Sequence, residues 1–450
     1  MKGTVFASLG ILLAGLVAAV AVLPRVAGSQ TAPAPMPKAW TQFRLNDSAN
    51  PVIAYNGTPS WTVQTDGGFS SSPAIVGGVV YLGNNAGETY AIDLATGNVR
   101  WTYQVKNPIM SNPLVYDGLV IIGEGNADST TYVPRRNVQV GTGPNALIAL
   151  NADTGAVAWT LPLAGTGMPT PVITDGVLVH HNGSGDVIGV DPRNGKLLWS
   201  HDYHSIASMV GLLPMPGNLV VTTGLFPNRV FAVDARNGNM VWQYQLSSND
   251  SGVGDCPPVS DGKNVYGDYI APPDPKLEAG VGVPGVERVY ALDGKTGEVL
   301  WNVPLESGMV GPRNESAIPL IAHNTLYVGS AIAPYMHAID TTTGKVLWSV
   351  KVGGAVLGGV VEHDGTIYFG DRAGNLWALN ASTGAVIGKI QMPEPYNVGS
   401  PVIVGSSLII GSAKGDIDAV PLDWIRSSSV SLRRFNGKRA RALSLARDCG

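Results

Sequence analysis

One phrase governs the chain. Ala-x-Asp-x-x-Thr-Gly-x-x-x-Trp appears as Ala91…Asp93…Thr96-Gly97…Trp101 and Ala149…Asn151…Thr154-Gly155…Trp159. It returns as Gly189…Asp191…Gly195…Trp199, Ala232…Asp234…Gly238…Trp242 and Ala291…Asp293…Thr296-Gly297…Trp301. The last two copies are Ala338…Asp340…Thr343-Gly344…Trp348 and Ala378…Asn380…Thr383-Gly384…Gly388, which lacks the Trp. Glycine-to-glycine spacings are 58, 40, 43, 59, 47 and 40 residues. The phrase describes a strand, a tight turn and a second strand. Asp or Asn opens the turn by bonding its own nearby backbone, and Gly supplies the positive φ that closes it. An indole at one fixed place on each second strand suits a flat ring wedged against the next unit, its N–H bonded to a neighbouring carbonyl. β-Rich repeats of 40 or more residues are propeller blades.

Two more strand signals precede each phrase, as in Ser72-Pro73-Ala74-Ile75 with Val79-Val80-Tyr81-Leu82, or Ser400-Pro401-Val402-Ile403 with Ser407-Leu408-Ile409-Ile410. Each unit therefore has four strands. An eighth unit begins at Ser400 and leaves the pattern after Asp418-Ala419-Val420, without its turn or Trp. An orphan Gly57…Trp61 near the N-terminus has the right internal spacing and no strand before it. The sequence thus predicts an all-β, eight-bladed β-propeller of four-stranded antiparallel blades, closed by an N-terminal strand that completes the last blade and removes the open edge. Residues 125–144 and 270–286 are insertions between the second and third strands of the second and fifth blades, so both belong on one face of the disc, where binding loops cluster; simple tolerance of loop growth accounts for them equally.

Lys2 precedes an apolar run from Thr4 to Leu23. Residues 1–27 read as a signal peptide or an uncleaved inner-membrane anchor, which directs the body to the periplasm or cell exterior. Residues 28–49 read as a linker, 50–424 as the propeller and 425–450 as a basic tail. Only 14 % of residues are charged and the net charge is −4, which gives nucleic acid no handle. So little charge suits an acidic compartment, and suits the Gly-rich make-up of propellers just as well. The two cysteines, Cys256 and Cys449, form neither a disulfide framework nor a metal cluster.

The Ala-x-Asp-x-x-x-Gly-x-x-x-Trp phrase resembles the tryptophan-docking motif of pyrroloquinoline-quinone (PQQ) type propellers, over about residues 50–424. Trp61, Trp101, Trp159, Trp199, Trp242, Trp301 and Trp348 would be the blade-docking residues. The resemblance implies one of three functions: a cofactor-free, BamB-like scaffold of the cell envelope that binds a protein partner; a cofactor-free hydrolase of a small sulfur oxyanion, like tetrathionate hydrolases; or a PQQ- and Ca²⁺-dependent dehydrogenase. The dehydrogenases' vicinal cysteines and haem CxxCH are absent, and no carboxylate-and-amide set for Ca²⁺ stands out, so no cofactor or metal is expected. The scaffold has first place, although no lipobox cysteine follows the apolar run.

In a propeller, ligands sit at the channel mouth, near the start of each innermost strand. Two places before the recurring Pro position stand Ser71, Ser111, Pro169, Asp255, Ala317 and Gly399, with Met110, Met168 and Met209 one step further out. The methionines read as a soft rim or as core filler. Gly254-Asp255-Cys256-Pro257 and Gly311-Pro312-Arg313-Asn314-Glu315 bring two carboxylates, a thiol, an amide and a cation to neighbouring blades. Asp255 and Glu315 are the candidate acid–base pair, sharing a proton. Arg313, Asn314 and Cys256 are the candidate groups for a small anionic ligand. A structural Arg–carboxylate stitch between blades is the competing reading. His181, His204 and His337 read as surface or core residues.

Overall fold

The innermost strand of each blade begins at a position the sequence repeats, and these starts define the ring: Ala74, Leu114, Val172, Leu213, Val259, Leu320, Val361 and Val402 for blades 1 to 8. The computed structural model describes residues 36–427, apart from 127–129, 134–135, 140, 254, 256 and 312–316, and gives only the backbone for 130–133 and 136–139. Blades 1 to 7 are antiparallel sheets of four strands; blade 1, for example, runs Ala74–Val76, Val79–Gly83, Glu88–Asp93 and Val99–Gln104. The second and third strands are buried almost throughout, as strands covered on both faces by neighbouring blades must be.

The eighth blade is closed as the sequence predicts. Trp61–Gln64 pairs antiparallel with Asp416–Pro421, Trp61 opposite Ala419 and Gln64 opposite Asp416. A fifth strand, Val52–Ile53, runs parallel to Val402–Val404 on the channel side. The two insertions leave their blades between the second and third strands. Thr130–Val133 and Arg136–Gln139 form a hairpin in the first. In blade 5 much of the inserted sequence lengthens strands instead, giving Asn264–Ala271, Pro284–Asp293 and Val299–Met309.

Seven indoles sit alike. Each N–H donates to the carbonyl just after the Asp or Asn of the next blade's turn, as Trp61 to Leu94 (2.9 Å) and Trp242 to Gly294 (3.0 Å). Trp101, Trp159, Trp199, Trp301 and Trp348 do the same to Ala152, Pro192, Ala235, Thr341 and Ala381. The turn glycine lies under the ring with φ of +71 to +76° from Gly97 to Gly384, and a Cβ there would come within 2.5–2.9 Å of the indole. Both facts demand Gly. Blade 7 carries Gly388 instead of Trp because a short helix, Leu422–Arg426, fills that place. The carbonyl oxygen of Arg426 lies 2.6 Å from where a Cβ of Gly388 would stand.

The sequence reading of 28–49 as linker is corrected for its second half. Residues 40–51 wind around the inside of the ring and pair with channel-facing backbone that would otherwise be unpaired. Trp40 exchanges hydrogen bonds with Val115 of blade 2; Thr41 accepts from Ile173 of blade 3; Asp47 and Ser48 accept from Ser260 and Ile321 of blades 5 and 6. Asn50 accepts from Glu362 of blade 7 and Pro51 from Ile403 of blade 8. Trp40, Arg44 and Ala49 are fully buried. Polar composition hid this girdle, because most of its bonds are made by backbone.

Candidate functional site

The girdle brings Phe43 inside the ring, where it lines a small cup and its ring packs against Gly211; a Cβ there would stand 2.7 Å from the ring. Beside Phe43 is a small pocket with a cavity volume of ≈ 20 Å³. Two tiers of side chains wall it, and both follow from strand register. Four residues before the strand starts come Ser70, Met110, Met209, Asp255 and Val398; two residues before them come Ser72, Asn112, Thr170, Pro257 and Ile318. Asp255 is therefore one residue further out than the sequence register placed it. Blade 5 carries two prolines, and Pro258, not Pro257, is the equivalent of Pro73. The carboxylate belongs with Met110 and Met209 on the upper tier, and accepts a hydrogen bond from Met209 N–H (3.3 Å). Met168 is buried and does not line the pocket. Cys256, Arg313, Asn314 and Glu315 lie outside the described residues.

The lower tier is stitched from blade to blade. Gly359 N–H donates to Ser400 Oγ (2.8 Å), Ser400 N–H to Ser72 Oγ (2.9 Å), Ser72 N–H to Asn112 Oδ1 (2.7 Å) and Asn112 N–H to Thr170 Oγ1 (2.9 Å). Each side-chain oxygen accepts the backbone N–H of the preceding blade. Arg44, one residue past Phe43, is buried, and its Nη2 donates to Val360 O (2.6 Å) and Pro401 O (3.1 Å), beside Ser400. Burial pulls its pKa down to about 9, which still leaves it charged at and below neutral pH. Phe43, Arg44, Ser72, Asn112 and Thr170 were missed in the sequence. The last three stand at one register position before the Pro, a signal that was present; the first two had none.

A second polar cluster joins blades 5 and 6. Glu287 is wholly buried, and burial and then Asp268 push its carboxyl well above the usual range. Asp268 accepts the Ala317 N–H (2.8 Å), Glu287 accepts Ser330 Oγ–H (3.3 Å), and Glu306 meets His337 Nε2 at 2.7 Å. Of the histidines, His181 and His337 are buried and His204 is exposed. Among the described residues no group of three or more His, Cys, Asp or Glu could hold a metal ion.

This is a closed-ring, eight-bladed propeller of the PQQ type, with a small pocket at the start of its innermost strands. The family model described as "Outer membrane protein assembly factor BamB" matches residues 48–132, 123–266 and 285–442, and the chain belongs to that family. Among characterised relatives, the tetrathionate hydrolase of Acidithiobacillus ferrooxidans is 26 % identical over 289 residues, 63 % of this chain and 57 % of the relative. BamB of Yersinia pestis is 34 % identical over 64 residues, 14 % of this chain and 16 % of that one. The chain thus matches less than two thirds of the length of either. Among solved structures, BamB from Moraxella catarrhalis superposes with a TM-score of 0.61 at 18 % identity, covering 81 % of this chain and 99 % of that one. The quinohemoprotein alcohol dehydrogenase of Comamonas testosteroni gives 0.61 at 13 % identity, covering 86 % and 80 %. At such identities these two speak for the fold alone.

Proposed function

We propose that the chain is an exported hydrolase of a small sulfur oxyanion of the tetrathionate class, with its active site in the channel cup. The observation that carries this reading is the pocket beside Phe43, at the start of the innermost strands, whose wall holds a carboxylate, Asp255. A pocket whose wall sets a carboxylate among Ser70, Ser72, Asn112 and Thr170 suits a small polar ligand. In this reading Asp255 takes the proton of a water as its oxygen attacks sulfur, and the electron pair of the breaking S–S bond leaves with the departing fragment. Arg313, Asn314, Glu315 and Cys256, which lie outside the described residues, keep the roles that the sequence suggests. The longest alignment to a characterised relative, the tetrathionate hydrolase of A. ferrooxidans, supports the same class. A Ca²⁺-bound quinone fits poorly: of the described lining residues, one is a carboxylate and one an amide, and that amide's oxygen is already taken by Ser72.

A BamB-like envelope scaffold is the second reading, favoured by the family match along most of the chain. Export rests on the apolar run from Thr4 to Leu23; among the described residues no helix is long and apolar enough to cross a membrane. The deciding experiment is tetrathionate turnover by the purified chain at acid pH. Consumption that disappears in Asp255→Asn supports the hydrolase. No consumption, together with capture of an outer-membrane assembly protein, turns the assignment to the scaffold.

A further inference from the structure

The stitching of the lower tier leaves something over. At each position the blade-to-blade bond needs only an acceptor, and serine or threonine supplies it in blades 1, 3 and 8. Blade 2 uses Asn112. Its Oδ1 is committed to Ser72 N–H at 2.7 Å, which settles the amide's orientation and turns Nδ2 away from the stitch. Asn112 is only 4 % exposed, it lines the pocket, and Nδ2 has no hydrogen-bond partner among the described residues. A buried donor without a partner is costly, because it has given up its bonds to water for nothing. Its neighbours on the same arc repeat the logic. Ser72 Oγ and Thr170 Oγ1 each accept a backbone N–H, and neither hydroxyl donates to another described residue at hydrogen-bond distance. Their hydrogens are free to turn inward, and both residues line the pocket.

From this we infer an oxyanion subsite on blades 1 to 3, in which Asn112 Nδ2–H, Ser72 Oγ–H and Thr170 Oγ1–H donate together to one sulfonate, sulfate or carboxylate group. Three neutral donors on one arc match the several acceptor oxygens of such a group, and they are held by backbone bonds, so binding orders little further. The buried guanidinium of Arg44, which flanks Ser400 on the same tier, favours negative charge in the cup. The subsite lies on a different arc from Asp255, so a ligand oxyanion held there leaves its remaining atoms to extend toward the carboxylate. The inference deepens the hydrolase reading and, for the sulfur-oxyanion ligand, rests on it; the donor arc itself does not.

The test uses the full chain, with tetrathionate and methanesulfonate as probes, calorimetry for binding and a separate turnover assay. Asn112→Asp keeps the oxygen that Ser72 requires and loses the donor. It is expected to weaken both probes tenfold or more while the melting temperature without ligand stays within a few degrees. Thr170→Val serves as a second variant and removes the hydroxyl from the same arc. Asp255→Asn is expected to bind both probes. If the wild-type chain binds neither probe, or if Asn112→Asp and Thr170→Val bind them as tightly as wild type, the subsite is overturned, even where tetrathionate is consumed. Binding that depends on Asn112 without any turnover upholds the subsite and removes the hydrolase reading.

Discussion

Asp418 sits at the ring closure, opposite Thr62, whose hydroxyl donates to it at 2.7 Å. Burial pushes its pKa up to about 7, the Thr62 bond pulls the other way, and Asp416 and Glu394 push it up further. The folded chain therefore holds a proton that the unfolded chain, with an ordinary Asp near ~3.9, has released. This contribution is complete below about pH 4 and is lost as pH rises through about 7. Glu287, raised by burial and Asp268, acts in the same direction. His180 and His181 act in the opposite one. Burial lowers them to about 3 and about 4, so their contribution is complete above an ordinary His value and is lost as pH falls. Because these groups oppose one another, the test is a difference: from pH 4 to pH 8 the melting temperature of wild type relative to Asp418→Asn should fall as pH rises through about 7. Equal slopes for the two proteins would mean that the carboxyl is ionised in the fold throughout.

The repeating element is the hairpin, with its glycine turn and the indole that covers the next one. Trp301→Phe keeps the flat ring and removes the N–H bond to Thr341, with an expected cost of about 1 kcal/mol in denaturant unfolding. Trp301→Ala leaves a cavity between blades 5 and 6 and should cost about 3–5 kcal/mol. The exception in blade 7 makes a sharper test. A repeat-based repair, Gly388→Trp, restores the pattern in sequence. The Leu422–Arg426 helix already occupies that space, so the expected outcome is destabilisation, about 1–3 kcal/mol or more by overpacking. A gain in stability would show that the helix is readily displaced.

At the scale of the molecule, the N-terminal part of the propeller is used twice: residues 40–51 gird the channel and Trp61–Gln64 closes the ring. Deleting residues 1–50 should lower the melting temperature and abolish ligand protection, because Phe43 and Arg44 leave with the girdle. Extending the deletion through Gln64 exposes the third strand of blade 8 as an edge. Size-exclusion chromatography should then show association between chains, the usual consequence of an unpaired strand. A well-behaved monomer after that deletion would contradict the role of Trp61–Gln64 as the last strand.

The blade count, the hairpin at each repeat and the closing role of Trp61 were all legible in the sequence. Turn chemistry and the spacing of indole and glycine are local properties, repeated often enough to be read without coordinates. The channel mouth was legible only by register, and one extra proline in blade 5 displaced Asp255 by one residue. What the tertiary structure alone decided is the cup. Phe43 and Arg44 lie in a polar stretch with no repeat, and that stretch is held by backbone bonds to five blades and by the Asn50 side chain to a sixth. Asn112 likewise looks like any turn residue in the sequence. It becomes a donor without a partner only when the neighbouring blade's Ser72 N–H claims its oxygen, a contact between residues 40 positions apart that no local pattern encodes.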